Sequence, residues 1–379
     1  MARIRKTAQK RLRVRVSDRS DPWIVWTVLL LVLVGAVFVL DTTYFISQEQ
    51  YGSHYWMLTK HLISVSLGTA AMIVLSRFRS DRLQRCAPWI LGFGLLLLPL
   101  PLVPGVGVCS NGACRWLSLG FFNVQPGELI KAIFVIFTAA LLTARADRVR
   151  NWRYGMLPTL AVAALIGGLL LLEPDFGTAV VIALVAGVML FLVGVPWIQV
   201  GGLAGLAAAA GGLLVWFEPY RFKRFAAFLD PWADIHGTGY QLAQSFRAFG
   251  SGEWFGVGMG ASRQKAGWLP EAHTDFIYSV IGEETGLVGA SLVLICFALL
   301  AYRGFRVAHR HPDMFGQMLA AGLTFVITMQ AVINICVTLG LLPTKGMVLP
   351  FLSYGGSAML VTLAMVGMLM SLSRELRER

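Results

Sequence analysis

Charge is what this chain has least of. Only 14% of its 379 residues are Asp, Glu, Lys or Arg, against about 25% in ordinary soluble domains. Mean hydropathy is +0.68 and 56% of residues are hydrophobic, which excludes a water-soluble globule. Cysteine is scarce too. There are five, and no Cys/His quartet has metal-ligand spacing, so no structural metal site is expected. Cys86, Cys296 and Cys336 lie in or beside apolar runs and should simply pack. Cys109 and Cys114 share one loop, where a small bridge and two idle thiols are both open. No small-residue cleavage site follows the basic N-terminus, which excludes a cleaved signal peptide. Internal repeats are absent to the eye, although an inverted-repeat transporter can hide its symmetry. The GVGMG run at 256–260 follows no strand and opens no dinucleotide-binding helix, so it is no phosphate-cradling loop.

What is present is a series of long apolar runs. A hydrocarbon layer about 30 Å thick needs about 20 apolar residues per helical span, and irregular chain is not tolerated against lipid. The expected fold is an all-α polytopic membrane protein with ten spans. They lie near 23–41, 56–76, 86–103, 126–143, 156–172, 177–194, 198–217, 275–301, 314–340 and 347–372. Residues 1–22 then form a basic tail, 23–373 a single ten-helix domain and 374–379 a second tail. The net charge of +12 does not imply nucleic acid. Its cations cluster before span one and in SRFRSDRLQR, TARADRVRNWR, YRGFRVAHRHPD and SRELRER, so both termini should be cytoplasmic and the N-terminal tail should touch anionic lipid.

This orientation leaves the outer face chemically busy. The 218–274 loop between spans seven and eight is too long for a mere connection. It interleaves aromatics with Arg221, Lys223, Arg224, Arg247, Arg263 and Lys265, a pattern for short helices lying in the interface. At its end, His273, Thr274 and Asp275 meet the next span, with Glu283 and Glu284 two turns further in. Carboxylates at a membrane boundary are costly unless used. Asp275 is a helix cap on the plain reading and a general base on the functional one, and a neighbouring carboxylate or a divalent cation would tune it. Lys131 shares a helix face with Glu128, either as a self-neutralising pair or as a cation facing an anionic headgroup. Arg115 and Lys345 add outer cations, and Arg suits phosphate. Glu173 and Asp175 in EPDFG read as a plain turn. Pro343, Pro350, Gly355 and Gly356 mark a broken entry to span ten. Residues alone indicate processing or transport of a lipid phosphate.

Five blocks extend this reading: RWLSLGFFNVQPGELIK, EPDFGTAVV, GYQLAQSFRAFGSGEWFGVGMG, LPEAHTDFIYSVIGEETGLVG and LPTKGMVLPFLSYGGSAML. Together they resemble the SEDS family (shape, elongation, division, sporulation), and the PTKG and PEAHTDFI forms are most like its division member. The resemblance implies an inverting peptidoglycan glycosyltransferase that polymerises lipid II at the outer face of the cytoplasmic (inner) membrane, at the septum. A lipid II flippase and the elongation-type polymerase are the alternatives. It places Asp275 as the catalytic base. Substrate contacts are then expected from Arg115, Glu128, Lys131 and Lys345, and from Arg221, Gln241, Gln244, Lys265, Ser353 and Tyr354 in the matching blocks. His273, Glu283 and Glu284 would hold the helix end. A divalent cation, Mg2+ or Mn2+, is the one cofactor left open, and no organic cofactor is expected. The implied partners are a class B penicillin-binding protein transpeptidase of the FtsI type and division regulators of the FtsQ, FtsL, FtsB and FtsN types. Gly127 after QP and Arg247 in an apolar slot are mild departures.

Overall fold

The structure, a computed structural model, describes residues 20–110, 113–118, 120, 122–149 and 151–376. The expectations for the basic tail 1–19 and for 377–379 lie outside the described residues, as does the side chain of Arg221.

The order is α1 (Pro22–Tyr51), α2 (Trp56–Leu75), α3 (Ser80–Leu97), strands β1 (Gly107–Ser110), β2 (Ala113–Ser118) and β3 (Asn123–Val124), then α4 (Pro126–Ala144), α5 (Met156–Leu172), α6 (Phe176–Leu192), α7 (Trp197–Trp216), α8 (Pro219–Leu229), α9 (Tyr240–Gly252), α10 (Ile277–Arg310), α11 (Met314–Thr338) and α12 (Gly356–Arg374). Among the described residues eight helices are long and apolar enough to cross a membrane, and α5 and α6 are shorter apolar helices of 17 residues. Burial ranks them: α12 is 83% buried over its apolar window, α4 and α11 67%, and α7 0%. So α4, α11 and α12 form the centre and α7 lies at the rim.

Local chemistry explains the ends. Asp21 accepts from the Trp23 amide ahead of Pro22, and Gly52 closes α1 in the left-handed region. Asp313 caps α11 in the same way. At the end of the bundle that holds Asp21, Arg303 grips that carboxylate at 2.5 Å, and Glu375 takes the Ser80 amide at 3.0 Å.

Three features depart from expectation. The fold is not purely α: the 104–125 loop holds a three-stranded antiparallel sheet ordered β1-β2-β3. Cys109 and Cys114 face each other in it and are bridged. The last helix starts at Gly356 rather than 347, because Pro350 supplies no amide and side chains of α11 take the carbonyls before it. Within the long loop, α8 is largely exposed, whereas α9 packs on the bundle. It buries Leu242, Ala243 and Ala248 against α10 and hydrogen-bonds Ser245 to Ser279 at 2.7 Å.

Gly286 decides how that loop is held. It breaks α10 with φ 65° and ψ −166°, and segment 253–258 bonds into the gap through Val257 N to Glu283 O (3.0 Å) and Leu287 N to Glu253 O (2.9 Å). A Cβ on Gly286 would stand 2.5 Å from that segment's backbone. Only glycine fits.

Candidate active site

Four loops meet at one end of the bundle. Ser353 Oγ donates to the Thr274 carbonyl at 2.5 Å and accepts the Leu349 amide at 2.8 Å, while the Tyr354 amide donates to the His273 carbonyl at 2.9 Å. Asn334 Nδ2, inside α11, donates to the carbonyls of both Asp275 (2.8 Å) and Met347 (2.5 Å). Two irregular strips, 271–276 and 345–355, are thereby clamped together, with Glu271 (φ 57°) and Phe351 (φ 67°) held in the left-handed region. Such strain persists only where surroundings over-determine it.

The clamp leaves Asp275 free. It is half-buried, one residue before the cap of α10, and no hydrogen bond reaches its carboxylate among the described residues. The capping reading is therefore set aside. Burial pushes its carboxyl up to about 7, with help from Glu271 and against Arg224, Lys345 and Arg115. The helix-end field that would weaken a base is thus outweighed by burial.

The cations come from separate elements. Arg115, on β2 next to the bridged cysteine, donates Nε to Glu173 O (3.2 Å) and Nη2 to Pro174 O (2.5 Å). Lys345 pairs with Asp175 at 3.6 Å, its ammonium lying over Gly177, where a Cβ would collide with it. Arg224, on α8, donates to Thr344 O at 3.3 Å. Lys345 is held below its usual range by burial, and by Arg115 and Lys131 despite Asp175. Like charges gathered on so few acids make a site for an anion.

Other expected contacts lie elsewhere. Lys131 is 2% exposed and bonded to Glu128 (2.8 Å) and to Gln330 (2.7 Å), so it presents no cation to a headgroup here. Gln330 in turn donates to Val348 O at 3.1 Å, so the α4 pair supports the 345–355 strip. Lys265 is also corrected: it is buried between Asp41 (2.5 Å) and Glu284 (2.7 Å). Glu284 takes the amides of Gly260 and Ser262, and Glu283 takes the Ser262 hydroxyl and the Arg263 amide. Gln244 is buried and accepts from Arg247 at 3.2 Å, which removes it from the substrate set. Gln241 does line a cleft, with Arg224, His236, Tyr240 and Pro270. Tyr354 sits half-buried, 5.8 Å from the His273 ring and 6.3 Å from that of His61.

Sequence reasoning missed Gln330 and Asn334, although two amides four residues apart inside an apolar run were a readable signal. It also undervalued the EPDFG turn, which anchors both Arg115 and Lys345.

Known proteins similar to this chain identify its family. The probable peptidoglycan glycosyltransferase FtsW of Thioalkalivibrio sulfidiphilus is 43% identical over 373 residues, 98% of this chain and 93% of its own. That of Pseudomonas fluorescens is 41% identical over 355 residues, 92% and 86%. A solved peptidoglycan synthase complex that coordinates polymerization and crosslinking contains a chain with TM-score 0.77 and 31% identity, covering 94% of this chain and 98% of that one. The rod shape determining protein RodA of Thermus thermophilus superposes with TM-score 0.70 at 29% identity, over 95% and 98%. The FtsW/RodA/SpoVE family, described as cell cycle protein, matches residues 22–378. With a family model matched over residues 22–378 and relatives matched along nearly their whole length, this chain belongs to the FtsW/RodA/SpoVE family.

Proposed function

We propose that the protein is a peptidoglycan glycosyltransferase that polymerises lipid II during septal wall synthesis. The observation that carries this is Asp275: a carboxylate without a hydrogen bond among the described residues, raised to about 7 and flanked by Arg115, Lys345 and Arg224. A group poised near neutral pH is suited to general base catalysis. The acceptor hydroxyl gives its proton to Asp275, and its oxygen bonds to the donor's anomeric carbon. The carbon–oxygen bond to pyrophosphate breaks with inversion, and the leaving pyrophosphate takes the electron pair. The cations stabilise charge where it develops. The His273 carbonyl, which accepts the Tyr354 amide, and the Ser353 hydroxyl keep the strip in place.

Orientation follows from the cation count, which puts both termini in the cytoplasm and the site outside. A septal location at the inner membrane rests on likeness to the division proteins named above. Likeness to the synthase complex supports a crosslinking partner, a class B penicillin-binding protein, and division regulators extend that reading. Among the described residues no group of three or more His, Cys, Asp or Glu is placed to hold a metal ion. The side chains do not fit a divalent site of their own, so no step above runs through one. Mg2+ or Mn2+ would come bound to the substrate's phosphates.

Purified protein with lipid II and a crosslinking-dead partner tests the reading. Asp275→Asn should lower polymer formation by about 10²–10⁴-fold. Wild-type rate should climb as pH rises toward about 7 and then level, because the carboxylate is the active form. Near-normal polymerisation by Asp275→Asn would sink the base assignment. Transbilayer movement of lipid II without polymer would favour transport instead.

A further inference from the structure

One acid in the site has no use in that scheme. Glu173 is 0% exposed, and among the described residues neither carboxylate oxygen has a hydrogen-bond partner. Its neighbour differs: Asp175 takes the amide and hydroxyl of Thr178, the Gln125 side chain and the Lys345 ammonium. Arg115 is fastened to the same turn, but through backbone carbonyls only, by Nε and Nη2. A guanidinium has five N–H donors, so most remain available. An ionised carboxylate enclosed without partners is costly, and it keeps its proton instead.

The electrostatics agree. Burial first, then Asp175, push Glu173 up to about 8 against the pull of Arg115. Burial also opposes ionisation of Asp175, but Lys345, Thr178 and Arg115 outweigh it and hold that carboxyl below its usual range. Two acids of one turn are thus split, one neutral and one charged at neutral pH. The charged groups facing Glu173 are Asp175 in its own turn and Arg115 from β2. The segment before α4 presents Gln125 to the turn, and Lys345 from the strip before α12 is engaged by Asp175.

We propose that Glu173 is a positioning residue for the substrate's pyrophosphate: kept neutral behind Arg115, it leaves the free guanidinium donors to the phosphate oxygens, and once ionised it claims them. This rests on the lipid-pyrophosphate reading above. The sign follows directly. An anion in the site favours neutral Glu173, so affinity is full below about pH 8 and is lost as pH rises through that value.

The test is binding of a prenyl pyrophosphate to the full chain in detergent, across pH. One linked proton changes affinity by at most tenfold per pH unit, so the wild type should lose up to about tenfold between about pH 8 and about pH 9. Glu173→Gln should lack that step, and Glu173→Asp should keep a step at a shifted pH. Arg115→Gln should lack it as well, because ionised Glu173 then has nothing to withdraw. Ionisation of the probe, of Asp275 and of Lys345 is common to the wild type and Glu173→Gln, so the difference between those two isolates Glu173. Equal steps in wild type and Glu173→Gln, or a step persisting in Arg115→Gln, overturn the inference. Should Glu173→Gln fail to fold, the Arg115→Gln arm decides alone. Absence of binding by the wild type at every pH overturns the pyrophosphate reading together with this one.

Discussion

Asp275 and Lys131 are two ionisable residues that the sequence singled out, and the fold treats them in opposite ways. Among the described residues Asp275 receives no hydrogen bond on its carboxylate and is pushed up, whereas Lys131 is enclosed and matched by Glu128 and Gln330. The first is therefore a source of instability. Its carboxyl titrates near 7 when folded and near 3.8 in free chain, so its ionisation costs stability progressively from about pH 4 to about pH 7 and by a constant amount above. Asp275→Asn removes that cost. The variant should melt higher than wild type at pH 8, with the difference closing as pH falls toward 4, which thermal scans will show. Lys131 behaves otherwise. Lys131→Met strands buried Glu128 and should cost about 3–5 kcal/mol. The double change with Glu128→Gln should recover most of it, and equal melting of single and double variants would refute the pairing. Asp275, Arg115 and Lys345 were legible as charges at loop ends of an otherwise apolar chain. Glu173 was not, because its burial depends on elements far from it in sequence.

At the scale of elements, the site is made by helices that stop or break. The strip before α12 is extended because α11 offers Gln330 and Asn334 to its carbonyls, and α10 is interrupted where segment 253–258 inserts. Gly286→Ala would force a side chain into a left-handed position against backbone 2.5 Å away. We expect a loss of more than about 1 kcal/mol and reduced polymerisation, with faster hydrogen exchange in 253–265. Unchanged exchange there would show that the insertion does not hold the loop. The proline and glycine pattern announced the break at α12. Nothing local announced the hairpin bearing Arg115, since a pairing of four and six residues is set by its partner strands and by the bridge.

Across the whole molecule, loops far apart in sequence bring their charges to one end, while α7 stays outside the core. A bundle whose catalytic strips are held by a few side-chain clamps is open to influence from a neighbouring chain. Adding the proposed crosslinking partner should therefore raise the rate of lipid II polymerisation while leaving its dependence on Asp275 intact, as measured with and without partner. A partner that rescued Asp275→Asn would contradict this.

The sequence by itself determined the membrane class, the helical runs, the clustering of basic segments and the family, because hydropathy and charge order are properties of the linear chain. It also marked Asp275 as the residue to watch. Only the tertiary structure decided which charges are spent on one another. Lys265 was claimed by Asp41 and Glu284, and Lys131 was enclosed by Gln330 as well as by Glu128, whereas Asp275 was left without a hydrogen bond among the described residues. Burial and pairing set the state of each ionisable group, and both depend on neighbours up to 243 residues apart in the Lys265–Asp41–Glu284 cluster, a separation that no local pattern encodes.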